Sequence, residues 1–278
     1  MQEYQLLSPA ESPVAIENAA GSGDIVIICE HASRAIPAKL GDLGLDAAAL
    51  ESHIAWDPGA LELSRCLSAS LDACLYVQRF SRLVYDCNRP PEAPSAMIEK
   101  SEIYDVPGNK NIAPTERQAR VDEIYLPFRD GLSSLLSSRA AAGRHSVLVT
   151  VHSYTPVYFG KKRDVEIGIL HDSDSRLADA MLSEAQSRHQ EFLILRNQPY
   201  SPVDGVTHTL VEHAIARGLP NVMIEVRNDL LTDSQRLPQV AAYLSSLIEA
   251  AVNAVRPERE NEAILASALI AAEAAIKA

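Results

Sequence analysis

The sequence lacks the short motifs that mark several large enzyme classes. None of GxGxxG, GxxxxGK[ST], GxSxG and HExxH occurs in the 278 residues, which argues against nucleotide-binding, serine-hydrolase and zincin sites. Basic residues are also few, because 25 lysines and arginines stand against 37 aspartates and glutamates, for a formal charge of −12. An acidic surface repels phosphate backbones and anionic lipid. We therefore expect a small-molecule partner, and neither nucleic acid nor a membrane.

Cysteine is scarce, and the hydrophobic runs are short. The four cysteines contain no CxxC pair of the kind found in zinc ribbons and redox centres. No stretch reaches the roughly 18 apolar residues of a membrane span. The first residues, MQEYQLLSPAESPV, have no basic region followed by an apolar run, so we expect no secretory signal. These absences predict a cytoplasmic protein whose cysteines are small buried apolar residues.

The composition and the hydrophobic pattern predict a single α/β domain. Hydrophobic residues make up 47% and charged residues 22% of the chain, which is typical of a globular protein. Short β-branched runs alternate with segments of helical period, and this alternation favours a mostly parallel mixed sheet with helices on both faces. We expect one domain over 1–278, with a catalytic core at about 20–255 and a helical tail at 258–278. The predicted strands are 24–31, 74–86, 146–154, 165–170, 192–197 and 221–229.

Polar side chains follow three of these runs. DIVIICEHAS, SVLVTVHSYTP and NVMIEVRNDLL each pass from an apolar strand into a polar cluster. Ligands of parallel sheets bind outside the carboxyl ends of the strands. We therefore expect His31, His152 and Glu225 at one edge of the sheet. The aperiodic, proline-rich segment 90–114 is interpreted as a long loop of the kind that often covers an active site.

Two histidines at matching strand ends indicate a metal site. A catalytic zinc ion usually has three protein ligands and one open position. His31 and His152 are the first two candidates, and the third ligand is expected to be a carboxylate, either Asp57 or Glu30. Alternation along the strand would turn Glu30 away from His31, so Asp57 is preferred. The alternative role of Asp57 is that of a helix N-cap.

A cluster of charged and amide side chains predicts an anion site. SRLVYDCNRP contains Arg82, Asp86, Asn88 and Arg89 within eight residues. Arginine binds a carboxylate through two parallel hydrogen bonds, and a neighbouring asparagine can hold the same group. The alternative is a surface ion pair between Asp86 and one of the arginines.

Glu225 is a candidate general base. It follows Met223 and Ile224, and carboxylates are seldom found in such apolar runs unless they are paired or functional. Burial would raise its pKa and suit it to proton transfer near neutral pH. The alternative is an ion pair with Arg227 or Arg163.

Two further segments carry candidate substrate-binding residues. GKKRDVEIGIL holds Lys161, Lys162 and Arg163, a dense basic cluster that would attract an anionic substrate if it lay beside the anion site. The turn-rich segment NQPYSPVDGVTH could form a pocket wall or a simple loop. Its candidate residues are Asn197, Tyr200, Gly205 and Thr207.

Six segments together resemble the N-formylglutamate amidohydrolase family. They are CEHASRAIP, AWDPGA, SRLVYDCNRP, VHSYTPVYFGKKRDVEIGIL, NQPYSPVDGVTHTL and IEVRNDLL, and they run in this order from about 24 to 232. The resemblance implies a fold similar to zinc carboxypeptidases and aspartoacylases, with zinc at the strand ends. In those relatives, zinc is held by a His-x-x-Glu pair and a distant histidine. Here Arg34 stands three residues after His31, so Asp57 and Glu30 both remain candidates for the carboxylate ligand.

The resemblance also implies roles for the other residues. His152 matches the distant zinc-binding histidine, Asn88 and Arg89 match a pair that grips the substrate carboxylate, and Glu225 matches the general base. Arg163 would hold a second carboxylate or the oxyanion. The implied activity is zinc-dependent cleavage of a small acidic amide, with N-formyl-L-glutamate of histidine degradation as the leading substrate. Two alternatives stay open: a zinc hydrolase of another N-acyl amino acid or small peptide, and a metal-free binding protein with this fold.

Overall fold

The computed structural model describes residues 4–256, and the predicted tail at 258–278 lies outside them. A seven-stranded sheet forms its centre, in the order β1-β3-β2-β6-β11-β9-β10. The described residues form eleven strands: β1 Val14–Glu17, β2 Ile25–Cys29, β3 Cys74–Gln78, β4 Lys100–Ser101, β5 Tyr104–Asp105, β6 Val147–Tyr154, β7 Val157–Tyr158, β8 Lys161–Lys162, β9 Ile167–Leu170, β10 Ile194–Arg196 and β11 Asn221–Arg227. The fold is therefore α/β with a mixed, mostly parallel sheet, as predicted.

The sheet is parallel at its centre and contains two antiparallel strand pairs. Strands β3, β2, β6 and β11 run parallel to one another, whereas β1 is antiparallel to β3 and β9 is antiparallel to β11. The residues of β2, β3, β6 and β9 are all buried. Burial on both faces explains why these strands appear in the sequence as continuous apolar runs rather than as alternating ones.

The predicted strand over 74–86 is too long. Strand β3 ends at Gln78, and the chain then turns, with Ser81 N–H donating to the Ala35 carbonyl and Ser81 Oγ donating to the Ala55 carbonyl. These contacts join segments far apart in the sequence, so the local apolar pattern could not reveal the turn. The turn is what brings the 82–89 segment to the sheet edge.

Helices cover both faces of the sheet. The described α-helices are α1 Ala47–Glu51, α2 Ala60–Ser70, α3 Pro114–Arg120, α4 Leu126–Ala141, α5 Arg176–Ser187, α6 Asp229–Thr232 and α7 Arg236–Val255. Helices α2, α5 and α7 bury their apolar residues with one set of alternating strand residues, among them Val149 and Ile224. Helix α4 covers the other set, which includes Leu148 and Met223. Alternation along a strand therefore separates two apolar cores.

Three parts of the fold were not predicted: the edge strand β1, the long helix α7, and two short hairpins. The hairpins are formed by β4 with β5 and by β7 with β8. Two segments of helical period also contain single π-helical turns, Val121–Tyr125 and Leu210–Ala214. Among residues 4–256, no helix is long and apolar enough to cross a membrane.

Candidate metal centre and active site

Three buried side chains meet at the carboxyl edge of the central strands. His152 lies near the end of β6, and His31 lies two residues after β2 ends. Asp57 precedes helix α2, whose N-cap is Gly59 with a φ of 81° rather than Asp57. The Asp57 N–H donates to the His31 carbonyl at 2.9 Å, which fixes the aspartate beside the histidine. The side chains of His31, Asp57 and His152 form a group that can hold a metal ion.

The ligand atoms of this group are evenly spaced. The Nδ1 atoms of His31 and His152 are 3.2 Å apart, and Asp57 Oδ2 lies 3.2 Å from the first and 3.1 Å from the second. Tetrahedral zinc with bonds of about 2.0–2.1 Å separates its ligand atoms by about 3.3 Å. The three atoms therefore fit one face of a tetrahedral site.

The other nitrogen of each histidine faces a buried carboxylate. His31 Nε2 is 2.8 Å from Asp86 Oδ1, and His152 Nε2 is 3.2 Å from Glu30 Oε2. The His31 contact has hydrogen-bond geometry, whereas His152 Nε2 and Glu30 Oε2 face each other without it. A carboxylate beside Nε2 favours hydrogen on that atom, which would leave Nδ1 as the atom presented to a bound metal. Both Nδ1 atoms lie beside the Asp57 carboxylate. Carboxylate–histidine pairs of this kind orient the ligands of many metal sites.

Glu30 therefore contacts His152 on the side opposite to His31. The expectation that strand alternation separates Glu30 from His31 was wrong in its premise, because β2 ends at Cys29 and alternation does not continue beyond it. The carboxylate that shares the converging face with both histidines is Asp57, the preferred candidate. Glu30 lies behind His152 instead.

Arg82 joins the two aspartates of the centre. Its guanidinium donates to Asp57 Oδ1 at 3.3 Å and to Asp86 Oδ2 at 2.9 Å. Burial opposes ionisation of both aspartates, but their contacts with His31 and Arg82 outweigh burial and hold both pKa values well below the usual range. Arg82 is thus part of the candidate metal centre. The ion pair between Asp86 and an arginine, which stood as the alternative, does form with Arg82, but Asp86 is 3% exposed, so the pair is not a surface one.

Glu225 lies beside this group, and no residue within 4–256 forms a hydrogen bond or an ion pair with its carboxylate. It pairs in register with His152 on the adjacent parallel strand, and its Oε2 atom is buried with no hydrogen bond. Burial raises its pKa to about 7, with Asp57 adding to the rise and His152 opposing it. Arg227 forms its ion pairs with Glu166 and Asp229, so the pairing expected as the alternative for Glu225 is not seen among the described residues. A carboxylate in this state can accept a proton near neutral pH.

A cavity of about 200 Å³ opens onto the centre. It is smaller than the pockets of about 300–1,000 Å³ that take drug-sized ligands, so it suits a small metabolite. Its lining combines the residues of the centre with polar side chains of the surrounding loops. The lining residues are His31, His53, Ile54, Asp57, Arg82, Asp86, Asn88, Arg89, Ser95, Ile98, Ser101, His152, Ser153, Tyr158, Tyr200, Val206, Met223 and Glu225.

Arg89 and Asn88 both line the cavity, but only one of the two side chains is free to bind a ligand there. Arg89 donates from Nη1 to the Asn88 carbonyl at 2.8 Å and has no ion-pair partner within the described residues. The Asn88 amide instead bridges to another loop: it donates to the Val206 carbonyl and accepts from Thr209 N–H. The structure thus leaves Arg89 as the cation available to an anionic ligand, while Asn88 holds the loop beside it.

The remaining predicted substrate residues do not all reach the cavity. Tyr200 lines it, and its hydroxyl accepts a hydrogen bond of 3.0 Å from Arg163, which lies outside the lining. Arg163 lies against the rings of Tyr154, Tyr158 and Tyr200.

Asn197 and Thr207 lie outside the lining. Asn197 accepts from His171 N–H, and Thr207 donates to Asp172. Both side chains therefore hold loops together, and their binding roles stay predictions. Gly205 ends a short 3₁₀ helix in the left-handed region, with a φ of 68°, and likewise lies outside the lining.

Comparison with known proteins places this site in a family. The sequence model of N-formylglutamate amidohydrolase matches residues 23–232, a span that contains every residue of the metal centre. The chain belongs to the N-formylglutamate amidohydrolase family. No curated protein matches the sequence.

Two solved structures share the fold of this family member. One is a gene product, Atu2144, of Agrobacterium tumefaciens, with 54% identity, a TM-score of 0.88, and coverage of 90% of this chain and 99% of that one. The other is an N-formylglutamate amidohydrolase from Ralstonia eutropha JMP134, with 16% identity, a TM-score of 0.60, and coverage of 86% and 96%. The second likeness supports the fold alone. Family membership makes the chain an amidohydrolase by class.

Several residues of this amidohydrolase site were missed from the sequence. They are His53, Ser95, Ser101, Ser153 and Tyr158, which all line the cavity. His53 stands four residues before Asp57, and Ser153 directly follows His152, so proximity to a predicted ligand was the available signal for both. Tyr158 lies in the same family-like segment as His152, whereas Ser95 and Ser101 carry no such signal.

Proposed function

We propose that this protein is a zinc-dependent amidohydrolase that cleaves the linear amide of an acidic N-acyl amino acid. N-formyl-L-glutamate, which gives formate and L-glutamate, is the leading substrate. One observation carries the proposal: three converging ligand atoms, on His31, Asp57 and His152, lie beside the buried carboxylate of Glu225, whose Oε2 has no hydrogen-bond partner among residues 4–256. That arrangement suits a cation and a base acting on the same small ligand. The reaction class agrees with the family, and the cytoplasm is the setting we expect.

The charges around the cavity support an anionic substrate. Arg82 is neutralised by Asp57 and Asp86, and His53 lies 3.1 Å from Glu102. Among residues 4–256, Arg89 has no carboxylate partner, so it can grip the substrate carboxylate with two parallel hydrogen bonds. A second carboxylate would meet the Tyr200 hydroxyl, which Arg163 supports from behind.

The residues divide the chemistry between them. Zinc held by His31, Asp57 and His152 would polarise the amide carbonyl and lower the pKa of water. Glu225 accepts the proton of the attacking water and passes it to the leaving nitrogen, so the amide bond breaks and an amine leaves. Asp86 and Glu30 keep the two histidines in the tautomer that presents Nδ1 to the metal. Arg82 balances the charge of the two aspartates.

The experiment combines metal analysis with a substrate panel. The purified protein is analysed for bound metals, and release of formate is measured with N-formyl-L-glutamate as substrate. N-formyl-L-glutamine, N-acetyl-L-glutamate and a small peptide complete the panel. We expect one zinc per chain and fastest cleavage of N-formyl-L-glutamate. If another amide is cleaved faster, that amide becomes the leading substrate and the reaction class stays the same. A metal-free protein that binds these compounds without cleaving them would refute the proposal.

A further inference from the structure

Two short hairpins form part of the outer wall of the cavity. Ser101 in the β4–β5 hairpin and Tyr158 in the β7–β8 hairpin both line it. Each hairpin pairs only with itself and is not part of the seven-stranded sheet. The ladders of the central sheet therefore do not fix either hairpin over the cavity.

Glu102 joins the two hairpins to a third segment. Its Oε1 accepts from Phe159 N–H at 2.9 Å, and its Oε2 lies 3.1 Å from His53 Nε2. The Glu102 side chain is 13% exposed although it lies at a hairpin tip. Its backbone adopts a φ of 51°, in the left-handed region that costs energy for a residue with a side chain. The Glu102 carboxylate thus contacts one segment about 50 residues before it and another about 50 residues after it in the sequence.

One contact acts on a residue of the cavity wall, and the other acts on the neighbour of such a residue. His53 lines the cavity, and burial lowers its pKa, which favours the neutral ring. Glu102 Oε2 lies 3.1 Å from His53 Nε2 without hydrogen-bond geometry, so the carboxylate holds this ring by close contact. Phe159 directly follows Tyr158, whose ring packs against Arg163 at 4.4 Å. Holding Phe159 therefore also holds Tyr158 at the cavity.

We propose that Glu102 is a positioning residue for the amidohydrolase reaction. It holds the β7–β8 hairpin at the outer wall of the cavity through the Phe159 hydrogen bond, it lies against the His53 ring, and it contacts neither the metal ligands nor Glu225. Its effect on catalysis rests on the proposed function, while its effect on the hairpin does not. Glu102 thus governs how well substrate is held, and the bond-breaking step depends on other residues.

The test compares Glu102→Ala with Glu99→Ala in the zinc-loaded full-length protein. Glu99 is an exposed glutamate three residues earlier, so it matches the change in charge and size. Three quantities are measured: hydrogen exchange at the Phe159 amide, zinc content, and the separate kcat and KM values for N-formyl-L-glutamate. For Glu102→Ala we expect about fivefold to tenfold faster exchange at Phe159, the effect of losing one ordinary hydrogen bond. We also expect about tenfold higher KM, kcat within about twofold of wild type, and unchanged zinc.

Glu102→Gln provides the conservative rescue. Glutamine keeps a side-chain oxygen for Phe159 N–H, so exchange at this amide should return to within about twofold of the wild-type rate. Glu99→Ala should match wild type in all three measurements.

Two results would overturn the proposal: wild-type exchange at Phe159 in Glu102→Ala, or a loss of kcat with KM unchanged. If the wild-type protein cleaves no amide, the exchange measurement still decides whether Glu102 holds the hairpin. Failure of the proposed function is thereby separated from failure of this inference.

Discussion

Replacing Glu225 by glutamine should reduce activity while stabilising the protein. Glutamine keeps the shape of the side chain but cannot accept the proton of the attacking water. General-base catalysis contributes about 10²- to 10⁴-fold, so kcat should fall by that factor while zinc binding is retained. The stability effect has the opposite sign, because Glu225 is 4% exposed and one of its oxygens has no hydrogen bond.

The size of the stability effect comes from the pKa of Glu225. Burial raises it from 4.5 to about 7, which corresponds to about 3 kcal/mol. A raised pKa in the folded state means that stability is fully present below pH 4.5 and is lost as pH rises through 7. Metal-free Glu225→Gln should therefore unfold like wild type at pH 4.5 and be more stable by about 3 kcal/mol at pH 8.

Urea unfolding of both metal-free proteins at the two pH values measures this difference, and formate release measures kcat. A Glu225→Gln variant with wild-type turnover would refute the base assignment. Equal stability of the two proteins at pH 8 would refute the reasoning from burial.

Three further predictions concern Arg89, the carboxylate ligand of the metal, and His213, a buried histidine outside the cavity lining. Arg89→Lys keeps the positive charge but loses the planar guanidinium, which can form two parallel hydrogen bonds with a carboxylate. The kcat/KM value for N-formyl-L-glutamate should therefore fall about 10- to 100-fold, nearly as far as in Arg89→Ala. Wild-type kinetics in Arg89→Lys would mean that Arg89 does not bind the substrate carboxylate in this way. Asp57→Ala should abolish stoichiometric zinc binding, whereas Glu30→Ala should weaken it only about 10- to 100-fold, as measured by equilibrium dialysis. A larger loss of zinc affinity in Glu30→Ala than in Asp57→Ala would make Glu30 the ligand. Burial lowers the pKa of His213 from 6.5 to about 4. The contribution of the buried neutral ring to the free energy of unfolding is therefore fully present above pH 6.5 and is lost as pH falls through 4. His213→Gln should remove about 3 kcal/mol of that pH dependence from urea unfolding, and an unchanged difference between pH 7 and pH 4 would contradict this.

The sequence predicted the fold well wherever local pattern decides structure. The runs that became β2, β6 and β11 are apolar and β-branched because both faces of these strands are buried. Helix α7 was missed although its apolar spacing is readable from Val240 to Ala251. Edge strand β1 carries no such signal, because its residues are partly exposed and it exists through pairing with β3.

The site was predictable in its residue types and less so in its contacts. His31, Asp57 and His152 were found because strand ends and polar clusters coincide in the sequence. The contact of Asp86 with His31 was missed, since the pattern cannot tell a buried carboxylate behind a histidine from an exposed ion pair. Asp57 rather than Glu30 completes the group with the two histidines, as preferred, but the contact of Glu30 with His152 was not expected, because the point at which β2 ends depends on packing. The contacts among His31, Asp57 and His152 join residues 26 to 121 positions apart.

Zinc titration of the metal-free protein tests the central claim most directly. The protein is stripped of metal by a chelator and dialysed, and formate release from N-formyl-L-glutamate is then measured as zinc is added back. The arrangement of His31, Asp57 and His152 predicts no activity without metal and a linear rise that stops at one zinc per chain. Full activity in the metal-free protein, or no amide cleavage at one zinc per chain, would contradict the account.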